Sequence, residues 1–253
     1  MSILQNTLRI GNFTSSEAFK LTKKDKSGKG LGEPAIRYIM QTNDERMLGE
    51  CIDEEADAKP LQWGKLIEPM VHDKLGLEYT FCSDITKAHP TIPYWVGSKD
   101  GTREIAERTI IDYKAPTTKT SFVGLVRPLY QGFTGYDAMI AIRDGYTYNG
   151  FKYPKHKDGE KYFWQQVSNA IIDDVEWGEL IVFMPYQREL IEVQNLIGDD
   201  RRYNWITNNP DAVPCLKDDS MFKNLNIIRF KIPQSDKDFL TECVTAAGAY
   251  LIK

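Results

Sequence analysis

The sequence is poor in the residues that build metal cages and covalent frameworks, with 4 cysteines and 3 histidines among 253 residues. Cys51, Cys82, Cys215 and Cys243 form no CxxC pair and have no histidine at ligand spacing. That excludes a structural zinc site and a disulfide framework, and the scatter excludes an iron–sulfur cluster, which needs several cysteines within a few residues. His72, His89 and His156 match no metal signature and are expected to be structural or exposed. No apolar run approaches the roughly 18 residues that span a bilayer, so no membrane partner is expected. The N-terminal MSILQNTLRIGNF lacks the charged-then-apolar layout of a secretory signal, and the expectation is a cytoplasmic protein. A basic excess is missing too: the net charge is −4, which taken alone argues against nucleic acid.

Apolar residues make up 42% of the chain, enough for a substantial core, and one α/β domain over residues 1–253 is the default. Charge distribution matters more than its sum. Lys20, Lys23, Lys24, Lys26 and Lys29 face a single Asp25 in a glycine-bearing stretch, which is either a solvated loop or a contact for a polyanion. Helices are expected over Ser15 to Leu21, Pro34 to Gly49 and Leu61 to Leu75. The last has an apolar stripe of Leu66, Ile67, Met70, Val71 and Leu75 opposite Gly64, Lys65, Glu68 and His72. Pro69 predicts a kink or a late start there.

Strand-like runs follow at Tyr94 to Ser98 and Thr109 to Ala115, joined by a polar turn that begins at Asp100-Gly101-Thr102, a hairpin-like unit. In TIIDYKA the two-residue period puts Ile110, Asp112 and Lys114 on one face and Ile111, Tyr113 and Ala115 on the other. GYTYNGFKY, Gly145 to Tyr153, alternates aromatics around Asn149-Gly150, a type I′ hairpin signal. Those rings either stack on bases or pack within the protein or on a neighbour. Lys161 to Ile172 reads as a helix, with Tyr162, Gln165 and Asn169 in a polar stripe opposite Phe163, Val167 and Ala170. Glu179 to Met184 is an apolar strand. Beyond Pro185, a helix over Arg188 to Ile197, a loop between Pro210 and Pro214, a strand over Asn226 to Ile232 and a closing helix over Asp236 to Leu251 are expected.

Asp100, followed by Asp112 and Lys114, gives an acid at the end of one strand and an acid-x-lysine on the next. Such a pair of carboxylates can hold one or two Mg²⁺ ions, hard cations that prefer oxygen, with the Tyr113 carbonyl between them as a further ligand. Lys114 on the same face can position or help deprotonate an attacking water and offset charge on the phosphorane. The triplet alone is a weak signal, since it occurs by chance in many strands.

Its company is more specific. RIGNFTSS (Arg9 to Ser16), LQWGKLIEP (Leu61 to Pro69), VGSKDG followed by IIDYKAP, and YFWQQ (Tyr162 to Gln166) stand in that order along the chain. In these four places the sequence resembles the lambda exonuclease or YqaJ-like viral recombinase group of the PD-(D/E)xK nucleases. The resemblance covers the part from Arg9 to about residue 185 and implies a restriction-endonuclease-like α/β core, a central mixed sheet flanked by helices, on which residues 186–253 would pack. It implies catalytic Asp100, Asp112, Lys114, Glu68 and Gln165. Metal ligands would be Asp100, Asp112, the Tyr113 carbonyl and Glu68 through water, with Mn²⁺ able to replace Mg²⁺. Arg9 and Ser16 would form a DNA 5′-phosphate pocket, although a serine there also suits a plain helix N-cap. Thr14, Lys65, Lys23 and Lys24 are candidate DNA contacts. The implied activity is 5′-to-3′ digestion of one strand from ends of double-stranded DNA in phage-type recombination, by a homotrimer that works with a single-strand annealing protein. An endonuclease, a repair nuclease and a non-catalytic DNA-end-binding protein are the rival readings. Two departures stand out: Asp112 replaces the family's usual glutamate, and Lys99 stands where a proline often precedes the acid, free to meet DNA or solvent.

Overall fold

The computed structural model describes residues 7–52, 58–82, 85–208 and 213–252. In chain order the elements are β1 (Phe13–Thr14), a 3-10 turn (Ala18–Thr22), α1 (Glu33–Leu48), α2 (Lys59–Asp73), β2 (Tyr79–Phe81), β3 (Thr86–Ala88), β4 (Trp95–Ser98), β5 (Gly101–Arg103) and β6 (Thr109–Lys114). Then come α3 (Lys119–Tyr130), α4 (Gly135–Asp144), β7 (Tyr146–Tyr148), β8 (Phe151–Tyr153), α5 (Gly159–Asp173), β9 (Trp177–Phe183), α6 (Leu190–Ile197), α7 (Asn204–Thr207), β10 (Leu225–Lys231) and α8 (Gln234–Gly248).

The central sheet has the order β10-β9-β6-β5-β2. Its β6–β9 pair is parallel and its other pairs are antiparallel, so the sheet is mixed. The alternation read in TIIDYKA sorts the two layers around it. Ile110 joins Phe122, Leu125, Phe163, Val167, Leu240 and Val244 on the side of α3, α5 and α8, while Ile111 and Tyr113 join Trp63, Ile67, Val71, Val193 and Ile197 on the side of α2 and α6. The sheet is thus covered on both faces, and β10 and α8 carry the segment after Pro185 into the same layers. Among the described residues no helix is long and apolar enough to cross a membrane.

Several elements differ from expectation. Tyr94 to Ser98 and Thr109 to Ala115 are not hairpin partners: β4 lies in a separate sheet of order β1-β4-β3, and β6 pairs instead with β5, which was read as a turn. Three residues starting with glycine carry too little alternation to be seen as a strand, and only the pairing with β6 makes them one. Ser15 to Leu21 forms no α-helix: a turn over residues 15–17 leads from β1 into the 3-10 turn, whose N-cap is Glu17, so Ser16 is not a helix cap. Pro69 neither delays nor ends α2, which begins at Lys59 with Pro60 in its first turn. Helices α3 and α4 fall in a stretch where no element was expected. The Asn149-Gly150 turn does take type I′ geometry, with φ of 48° and 80°. The loop expected between Pro210 and Pro214 lies mostly outside the described residues.

Candidate active site

β6 and α5 meet with their polar stripes face to face. On β6, Asp112 is 1% exposed. Gln165 of α5 donates through Nε2 to Asp112 Oδ1 at 3.0 Å, and Lys114 Nζ stands 2.7 Å from Asp112 Oδ2. Lys114 Nζ also lies 3.5 Å from Gln165 Oε1 and 4.7 Å from the centre of the Tyr162 ring, one helical turn away on α5. A buried cation over an aromatic face is held in place by the ring's quadrupole as well as by the carboxylate. The helical stripe continues to Asn169, which donates to the Ser98 carbonyl at 3.0 Å, and to Asp173.

Asp100 leaves the β4–β5 junction beside β6 and accepts from the Tyr113 N–H at 2.6 Å. In a strand the N–H and C=O of one residue leave by the same edge, so the Tyr113 carbonyl is directed to Asp100's side as well. Burial, then the charges of Asp112 and Glu68, push the Asp100 carboxyl well above the usual carboxylate range, against Lys114 and the Tyr113 N–H. For Lys114, burial pulls downward, but Asp112 and Asp100 outweigh it and its pKa is raised, so the group is an ammonium. Glu68 faces this cluster from α2, half-buried, with Lys65 exposed one turn earlier.

The cluster is short of positive charge and long on acceptor oxygens. Asp112 Oδ2 is buried without a hydrogen bond: the Lys114 ammonium is within ion-pair distance but off the hydrogen-bonding direction. Among the described residues no three His, Cys, Asp or Glu side chains form a ready metal cage. Mg²⁺ needs no such cage, because it keeps several waters and takes one or two carboxylates. A buried carboxylate oxygen that meets the Lys114 ammonium and no hydrogen-bond donor in line, beside a second carboxylate, fits a hard cation.

The remaining sequence candidates lie on several elements, and only the Thr14 to Ser16 segment is tied to the helix that carries Gln165. The Thr14 backbone N–H donates to the Tyr38 hydroxyl oxygen at 2.8 Å, and Thr14 Oγ1 lies 3.3 Å from Ser16 Oγ. The neighbouring Ser15 Oγ bonds Ser168 Oγ of α5 at 2.7 Å, which fastens the segment alongside Gln165. Arg9 lies near Cys51, beyond the C-terminal end of α1, where its charge acts against the burial that raises that thiol. Lys23 is ion-paired with Glu160, and Lys24 is exposed on a bridge to Leu31. Lys99 is drawn into an ion pair, with Asp173 at 2.6 Å from its ammonium and 15% of the side chain left exposed. The two partners stand 74 positions apart, a separation that leaves no local trace, although Asp173 continues the stripe four residues after Asn169. The histidines serve turns and packing: His89 Nδ1 accepts from the Ile92 N–H at 3.0 Å and stacks on Trp95, and His156 Nδ1 accepts from the Asp158 N–H at 3.1 Å. The four cysteines are free thiols.

No family model matches the chain, and no curated protein matches it. Solved structures do. The alkaline exonuclease LHK-Exo from Laribacter hongkongensis superposes with a TM-score of 0.59 at 14% identity, over 98% of this chain and 91% of that one. LHK-Exo in complex with dAMP gives 0.58 at 15% identity, over 98% and 91%. A phage related exonuclease from Haemophilus somnus 129PT gives 0.57 at 14% identity, over 94% and 92%. The chain has the fold of these exonucleases. At such identities the likeness is one of fold, and it extends over nearly the whole exonuclease chain in each case.

Proposed function

We propose that this chain is a Mg²⁺-dependent DNA exonuclease that hydrolyses phosphodiester bonds from the ends of duplex DNA. The observation that carries the reading is the Asp112, Lys114 and Gln165 cluster with Asp100 in the bend before the adjacent strand, set in a fold shared with two exonucleases. Asp100, Asp112 and the Tyr113 carbonyl would hold the ion, with Glu68 acting through water. When bound, the ion supplies positive charge against the charge developing at the phosphorus and makes a water molecule a stronger acid.

The protein's own groups do the rest. Lys114, kept as an ammonium, donates to the attacking water or the phosphate and offsets negative charge. Gln165 fixes the Asp112 carboxylate by its amide N–H and presents its carbonyl to Lys114, so both charged groups are held in one geometry before DNA arrives. Tyr162 keeps the ammonium from swinging toward solvent. Arg9 and Ser16 would receive the 5′-phosphate, which favours ends over internal bonds and gives 5′-to-3′ polarity. Thr14, Lys65 and Lys24 would add backbone contacts, and Lys23 would do so by giving up Glu160. The family resemblance extends this to a cytoplasmic homotrimer that prepares single strands for an annealing protein in phage-type recombination. A ring would let a basic inner wall coexist with a net acidic chain.

The test is digestion of linear duplex DNA labelled at either end, with and without a 5′-phosphate, in Mg²⁺ and in EDTA. Loss from the phosphorylated 5′ end that needs Mg²⁺ and vanishes in Lys114→Ala supports the reading. Cutting of closed circular DNA would make the protein an endonuclease, and survival of linear DNA in every lane would leave a binding protein on a nuclease fold.

A further inference from the structure

The hairpin β7–β8 belongs to neither the central sheet nor the small one. Its register pairs Tyr146 with Tyr153, Thr147 with Lys152 and Tyr148 with Phe151. Directly opposed residues share a face and the period is two, so all four aromatics stand on one face with Thr147 and Lys152 on the other. The inner half of that aromatic face is covered. Tyr146 and Tyr153 stack at 4.9 Å, Phe133 packs on Tyr146 at 4.9 Å, and Arg127 lies over Tyr153 at 5.3 Å. The outer half continues into solvent, where Phe151 is 70% exposed. Among the described residues no ring or cation packs on Tyr148 or Phe151.

The segment that carries this bare half, bounded by Asp144 and Asp158, is itself basic. Gly145 to Lys157 contains Lys152, Lys155 and Lys157 and no acid, in a chain whose net charge is −4. All three lysines are exposed and, among the described residues, none has an ion-pair partner, whereas Lys23, Lys74, Lys87 and Lys99 are paired. The segment also runs straight into the candidate site. The His156 ring lies 6.0 Å from the Tyr162 ring, which in turn lies 4.7 Å from the Lys114 ammonium.

Flat apolar rings on a rigid type I′ turn, flanked by unpaired cations, suit a polyanion that offers exposed flat faces. We propose that the outer hairpin, Tyr148 and Phe151 with Lys152, Lys155 and Lys157, binds an unpaired stretch of DNA strand leading to or from the candidate site. The assignment rests on the exonuclease reading, which produces such a strand. A duplex shows no base face along its sides, so it meets the lysines and not the phenyl ring. A second copy of the chain related by a twofold axis would set this basic segment against itself, and a contact through the rings would leave single-strand affinity unaffected by Phe151→Ala. Bases stacked on aromatics with lysines on the phosphates match a single-strand platform.

The full chain is tested in EDTA, by anisotropy, with a fluorescent oligothymidine of about fifteen nucleotides, within the range of single-strand site sizes, and with a blunt duplex. Phe151→Ala should weaken single-strand binding about tenfold and leave the blunt duplex unchanged, while Phe151→Trp binds at least as tightly as the parent. Replacing Lys152, Lys155 and Lys157 by alanine should flatten the single-strand salt dependence by about 2 in log–log slope, at roughly 0.7 per phosphate contact. Unchanged melting temperatures show that these surface variants are folded. Single-strand affinity unaffected by Phe151→Ala, equal losses for single strand and duplex, or no single-strand binding by the parent would each overturn the proposal. If the parent fails to degrade linear DNA yet keeps Phe151-dependent binding, the exonuclease reading falls and the hairpin assignment stands.

Discussion

Asp173→Asn separates two opposite accounts of the same residue. Asp173 closes α5 and is 6% exposed, with Lys99 at 2.6 Å and Lys87 at 2.9 Å. A carboxylate at a helix C-terminus opposes the macrodipole, so without its lysines the substitution would stabilise the protein by roughly 0.3–1 kcal/mol. With the pairs intact, it instead strands Lys99, whose side chain is only 15% exposed. Breaking one side of a fully buried pair costs about 3–5 kcal/mol. Lys87 is half-exposed and can rehydrate, and Lys99 can partly do so, which brings the expectation down to about 2 kcal/mol. For a chain of this length that is roughly 4–8 °C in Tm, read by circular dichroism at neutral pH in EDTA. The lysines hold the Asp173 carboxyl below its ordinary value despite burial. Its contribution is therefore present above the unfolded pKa, near 3.9, and fades as pH falls through the lower folded value, so the gap between parent and variant should close only in acid. Adding Lys99→Met should recover most of the loss, because both charges are then gone. A variant as stable as the parent or more so, or a loss that Lys99→Met does not repair, would refute the stabilising ion pair.

Three further outcomes follow from the site and its packing. Lys114→Ala should lower cleavage of linear duplex by about 10² or more and also lower Tm, since Asp112 stays buried without its counter-charge. Millimolar Mg²⁺ should raise the Tm of the parent and not of Asp112→Asn; at a hundred times Kd the gain is about 2.7 kcal/mol, measured by thermal shift against an EDTA control. Gly97→Ala should destabilise by about 1–3 kcal/mol, seen in urea titration, because a Cβ there would press on Ser15 Oγ, Asn169 Oδ1 and Ile172 Cδ1, the packing that locks β4 to α5.

What was legible in the sequence is what short periods encode. The two-residue period of β6 sorts Ile110, Asp112 and Lys114 from Ile111 and Tyr113, and the helical stripe of α5 turns Gln165 toward them; the structure has both. The part of the site carried by that strand and that helix therefore shows itself in two brief windows. Helix α3 was hidden because KTSFVGLVRPLY carries a glycine, a proline and two valines, all poor helix formers. It forms because Phe122, Leu125 and Val126 bury one face, Thr118 caps the Ser121 N–H, and Gly124 leaves room for the His156 ring, 2.9 Å from where a Cβ would stand. Tertiary packing overrides local preference there. Ion pairs lie beyond any window: Lys23 finds Glu160 across 137 positions, and Lys99 finds Asp173 across 74. The departure from proline at Lys99 is thus explained by a residue that no local pattern could nominate. A proline would fix the backbone before Asp100 through its ring, whereas this chain fixes it by tying the side chain of Lys99 to the end of the helix that carries Gln165. Asp100 and Gln165 are then positioned by one connected element, and Asp173→Asn should disturb the geometry between them as well as the stability of the fold.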